Sequence, residues 1–147
     1  MRKTISVLIF LLILSMPGYA DPVDDALAVL NKWSLAFAAA DVDGIVKLYS
    51  PDALFLGTGS PSVVAQTEGV QEYFERALLN DRPRTARLKS YSALALSDSV
   101  VVFSGLDTIT GTRNGKQTIS NGRVTIVVAK REGEWKIVQF HRSRLPG

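Results

Sequence analysis

The apolar positions of this chain change period once, near residue 84, and that change divides it into a helical half and a β half. Asp21-Pro22 is a helix start, an acid able to cap the first turn followed by proline at the first helical position. Leu27, Leu30, Ser34 and Phe37 follow at helical spacing, with Trp33 beside the stripe. "AFAAADVDGI" interrupts the helix, and Asp41 is placed to cap a short second one that Ser50-Pro51-Asp52 stops. "ALFLG" reads as a short strand. After a polar stretch from Gly57 to Gln66, Thr67 is placed to cap the helix "EGVQEYFERALLN", whose apolar face is Val70, Tyr73, Phe74 and Ala77/Leu78. Four β segments follow: "TARLKSYSALAL", "SVVVFSGLDTITG", "KQTISNGRVTIVVAK" and "WKIVQFHRS". Turns at Ser97-Asp98-Ser99, Arg113-Asn114-Gly115 and Arg131-Glu132-Gly133-Glu134 connect them, and Asn121-Gly122 inside a strand predicts a bulge. Segregated helices and strands predict an α+β fold, a curved antiparallel sheet wrapped around an N-terminal helical layer with a pocket between them.

The N-terminus reads as a leader. Met1-Arg2-Lys3 is basic, "ISVLIFLLIL" is an apolar run short for a bilayer, and Gly18-Tyr19-Ala20 has the small-x-small form of a cleavage site. Residues 1–20 are expected to be a signal peptide, and residues 21–147 a single domain. The alternative is an uncleaved anchor. The first reading implies a periplasmic or secreted protein with no stable membrane insertion after cleavage. The chain contains no cysteine, so packing alone must hold an exported fold. Without Arg2 and Lys3 the charge is nearly balanced, which argues against nucleic acid as a partner. Its distribution is uneven. From Asp21 to Glu75 there are nine acids and two bases; from Arg76 onwards, thirteen bases and five acids. An acidic helical layer on a basic sheet accounts for this, and so does a basic cavity.

The order of elements resembles the cone-shaped family of nuclear transport factor 2, ketosteroid isomerase and polyketide-cyclase-like proteins. The end of the chain is more specific. "REGEWKIVQFHRS" followed by a proline is similar to the last strand of the association (hub) domain of calcium/calmodulin-dependent protein kinase II, through Arg131, Glu132, Gly133, Trp135, Ile137, Val138, Phe140, His141, Arg142 and Ser143. "EGVQEYF" and "AAADVDGIVKLYSPDALF" match more weakly. The resemblance implies a homodimer or higher homo-oligomer, and a cavity that admits small carboxylates beside Arg142. Other basic pocket positions of the hub fall near Tyr73, Ile126 and Gly105, so a less basic pocket is expected. Nothing in the chain corresponds to a kinase.

Alternation along the last strand places Trp135, Ile137, Gln139, His141 and Ser143 on one face, and Val138, Phe140 and Arg142 on the other. The only histidine, His141, and its neighbour Arg142 therefore cannot form one site. A three-residue loop with Gly133 in the left-handed position would pair Lys130 with Glu134 and set Arg123 opposite His141. Trp135, Ile137, His141 and Arg123 would then form a dimer face.

Two functions follow. The first is a non-enzymatic module that oligomerises and binds a small carboxylate-type ligand, with Arg142 as a two-pronged donor and Tyr73, Phe140, Trp33 and Tyr49 as walls. Plain core is the ordinary role for those aromatics, and a salt bridge to a helix acid such as Asp52 the ordinary role for Arg142. The second is a cofactor-free isomerase, dehydratase or cyclase in which Asp107, paired with a tyrosine hydroxyl, is the base. The ordinary role for Asp107 is exposure or pairing with a sheet arginine. A single histidine gives no His-rich metal site, and no cofactor is expected.

Overall fold

The computed structural model describes residues 21–146; the expected signal peptide lies outside the described residues. The order is α1 (Pro22–Ala39), α2 (Val42–Val46), β1 (Tyr49–Leu56), α3 (Thr67–Leu79), β2 (Thr85–Ser97), β3 (Val100–Arg113), β4 (Lys116–Arg131) and β5 (Glu134–Arg144). The Asp21 carboxylate accepts from the Val23 N–H, and Asp41 caps α2 by accepting from Gly44 at 2.9 Å. In α3, Thr67 is the first helical residue, not the cap; Gln66 precedes it without a side-chain bond.

The strands form one sheet in the order β1-β5-β4-β3-β2. The last four are an antiparallel meander, and β1 joins the far side of β5 in parallel. α1 packs on β2 and β5, and α3 on β1. This is the α+β cone that the pattern predicts, with the core inside the curve of the sheet. Trp33 stacks on Phe37 at 5.1 Å and on Phe140 at 5.8 Å, and Phe140 stacks on Phe55 at 5.3 Å. Each such ring contributes about 1.5–3 kcal/mol by leaving water. Tyr49 is buried in this cluster, and burial pushes its hydroxyl far above the usual phenol range.

Three local details differ from the sequence reading, and together they decide which side chains share a face. No bulge occurs at Asn121-Gly122, where β3 and β4 pair without interruption. The β4–β5 connection is a two-residue turn. Arg131 pairs with Glu134, and both Glu132 (φ 52°) and Gly133 (φ 85°) are left-handed. Two left-handed residues match the twist of the strands, the same solution found at Asn114-Gly115. Finally, Val138 is an extra residue in β5: Val128 pairs with Ile137 and Val127 with Gln139. This bulge reverses the alternation. Ile137, Phe140 and Arg142 all point into the cone, whereas His141 is exposed.

Ile137 therefore turns into the core and Trp135 toward α1, not onto the outer face that alternation predicts for them. Ile137 is completely buried, and the Trp135 Nε1–H donates to Asp25 on α1 at 3.2 Å. Arg123 pairs with Ser143, not with His141, but both Arg123 and His141 remain on the outer face. Ile137→Asp should unfold the protein rather than separate subunits. An unpaired carboxylate in this core costs about 4 kcal/mol or more, a large part of a domain's stability. Urea denaturation followed by circular dichroism checks this; a folded monomeric variant would return Ile137 to an interface.

Candidate functional site

Two cavities lie against the inner side of the sheet, where the sequence pattern predicts a single pocket. The first, about 310 Å³, lies between α1 and the sheet, with Trp33, Val124, Ile126, Ile137 and Phe140 on its walls and Asp107 as a buried polar residue. The second, about 580 Å³, is polar and has Thr58, Tyr73, Arg84, Arg113, Arg142 and Arg144 among its lining residues. Trp33 and Phe140 thus belong to one cavity, Tyr73 and Arg142 to the other, and Tyr49 borders neither. Ile126 lies in the apolar cavity, and Gly105 borders a groove that also contains His141.

Asp107 and Arg142 meet on the partition between the two. Arg142 Nε donates to Asp107 Oδ2 at 2.6 Å, and the two residues are 5% and 7% exposed. The remaining fork is also held: Nη1 donates to Thr58 Oγ1 at 2.8 Å and Nη2 to the Ser120 carbonyl at 3.0 Å. A guanidinium cannot lose its proton, so its burial requires an anion, and that anion is Asp107. The helix-acid alternative fails because Asp52 is exposed and lies 4.0 Å from Arg131 instead. The ordinary reading of Asp107, pairing with a sheet arginine, is the one observed. No tyrosine hydroxyl hydrogen-bonds to Asp107, and its Oδ1 is buried without a partner.

Gly122 makes room for the pair. A Cβ at this position would lie 2.6 Å from both Arg142 Nη2 and Asp107 Oδ1. The glycine of Asn121-Gly122 marks close packing rather than a bulge.

Arg84, Arg113 and Arg144 join Arg142 at the polar cavity, and the sequence reading had assigned none of them to it. Arg144 was within reach of the same logic, since it stands two residues beyond Arg142 on the same strand face. Arg113, at the tip of β3, holds Asp81 with two bonds of 2.7 Å, which lowers the Asp81 carboxyl below its usual range. Arg84 follows α3. Its guanidinium lies 5.6 Å over Phe37, Nη1 donates to the Ala77 carbonyl, and Nε is buried without a partner. Only the folded chain brings these residues together, so the pocket is more basic than the hub-based alignment implied. Among the described residues no cluster of metal-ligating side chains occurs.

Residues 26–146 match the SnoaL-like domain family. The chain belongs to that family. A Xanthomonas campestris protein assigned as a calcium/calmodulin-dependent protein kinase II association domain is 32% identical, with a TM-score of 0.76 over 82% of this chain and 85% of that one. The Chlamydomonas reinhardtii hub homology domain of that kinase is 20% identical, with a TM-score of 0.69 over 84% and 98%. A Novosphingobium aromaticivorans protein assigned as a scytalone dehydratase shares the fold at 10% identity, with a TM-score of 0.75 over 84% of each chain. No curated protein matches the chain. The fold is the one that the order of elements implies, and the association-domain likeness is the one that the last strand implies.

Gly122→Ala should destabilise the protein by about 2 kcal/mol or more, because the added methyl must push against both partners of a buried ion pair. Chemical denaturation of the wild type and variant checks this. An unchanged midpoint would mean that the pair tolerates separation.

Proposed function

We propose that the protein is a non-enzymatic, oligomerising association-type module that holds a small carboxylate in its polar cavity. The observation that carries this reading is the Asp107–Arg142 pair on the wall of an arginine-lined cavity. Arg142 is charged, rigidly held and bordered by open space, and the guanidinium has more N–H groups than its three protein partners use. A carboxylate entering there meets oriented donors whose positions are set before it arrives.

The same pair weighs against the second reading. Asp107 does border the apolar cavity, as a base acting on an apolar substrate would. Its Oδ2, however, is held by Arg142, and its Oδ1 is sealed from solvent. Neither oxygen is presented to a bound molecule.

Assembly would use the outer face of the sheet. Leu54 (50% exposed), Leu94 (62%) and Leu106 (39%) are exposed large apolar residues on outward positions of three strands. Arg123 and His141 lie on the same side, as do the half-buried Thr125, opposite His141, and Val127, opposite Gln139. A second copy placed sheet to sheet would cover this surface.

Butyrate at millimolar concentration should raise the melting temperature by a few degrees, because binding to the folded state alone stabilises it. Arg142→Lys should shrink that shift, since an ammonium keeps the charge opposite Asp107 but loses the fork. No shift in the wild type would remove the ligand-binding part of the proposal. Leu106→Asp, at an exposed position beside Arg123, should leave the fold intact and convert oligomer to monomer in light scattering. A wild type that is already monomeric at micromolar concentration would remove the assembly part.

A further inference from the structure

The polar cavity carries more positive charge than one carboxylate can balance. Four arginines border it, Arg84, Arg113, Arg142 and Arg144. Two of them are already neutralised, Arg113 by Asp81 and Arg142 by Asp107. Asp81 is shared, since the Arg84 charge also helps to lower its carboxyl, and Arg144 forms no ion pair with a carboxylate among the described residues; four guanidiniums thus meet two carboxylates. Arg84 and Arg144 also come from different places. Arg84 follows α3 and is held at the Ala77 carbonyl, while Arg144 ends β5 two residues beyond Arg142 and is exposed. The surplus positive charge at the cavity thus comes from separate elements.

We infer that the natural ligand of this cavity is a small dianion with two acidic groups. The inference rests on the anion-binding reading above and goes further by naming the charge and the residues that select it. One carboxylate sits beside Arg142 and Arg84, and the second is recognised by Arg144. A monoanion leaves one of the two surplus charges unbalanced. A dianion balances both. Thr58, Ser120 and Asn121 add polar lining next to the charged groups.

The test compares two four-carbon acids, butyrate and succinate, by calorimetry at constant ionic strength and pH 7. With the wild type, succinate should bind about tenfold more tightly than butyrate, the increment of one further charge-assisted hydrogen bond. Arg144→Gln should remove that preference, weakening succinate by much more than butyrate until the two acids bind alike. Because Arg144 is exposed at the end of β5, the variant should melt at the wild-type temperature without ligand. Equal affinities for the two acids in the wild type would overturn the inference and leave the monoanion site standing. So would an Arg144→Gln variant that still prefers succinate. If neither acid binds, the inference falls together with the anion-binding reading on which it rests.

Discussion

The buried ion pair between Asp107 and Arg142 is the constraint around which the interior is arranged. Taking a guanidinium out of water costs several kcal/mol unless a carboxylate and further acceptors replace the lost hydration. Here the acceptors come from separated parts of the chain: Asp107 on β3, Ser120 on β4 and Thr58 in the loop after β1. Gly122 provides the room. Removing one partner would strand the other in a medium that cannot solvate it, at a cost of about 3–5 kcal/mol. The pair therefore ties β5 to two strands and a loop, and it fixes where positive charge can stand inside the cone.

Its position also gives the interior two environments. On the Asp107 side the walls are aromatic and aliphatic; on the Arg142 side they are polar and cationic. The two residues named from sequence as alternative functional centres, one for catalysis and one for binding, are partners in a single interaction. Each neutralises the other's charge, and the four arginines that border the polar cavity outnumber the two carboxylates that pair with them, Asp81 and Asp107.

The bulge at Val138 has consequences of the same reach. One extra residue in β5 turns Ile137, Phe140 and Arg142 toward the same side, although strict alternation would separate Ile137 from the other two. The core gains an aliphatic residue, and the outer face keeps His141, Arg123 and a scatter of exposed leucines. The cone thus presents two surfaces of different character, an interior that holds charge and an exterior with exposed leucines.

The sequence by itself determined the elements, because each depends on neighbours along the chain. Asp21-Pro22 starts α1, Asn114-Gly115 closes a hairpin, and the change of period near residue 84 separates helices from sheet. It also placed His141 and Arg142 on opposite sides of β5 and selected Asp107 and Arg142 as residues of consequence. It did not determine the β4–β5 register. A two-residue and a three-residue turn both fit "REGE", and nothing local marks Val138 as an extra residue. Nor could it assemble Arg84, Arg113 and Arg144 around one cavity. Those positions are separated by tens of residues, and their charges add only after the sheet has curved. Tertiary structure decided the faces, the pairing and the local charge because each is a sum over residues that meet only in the folded chain.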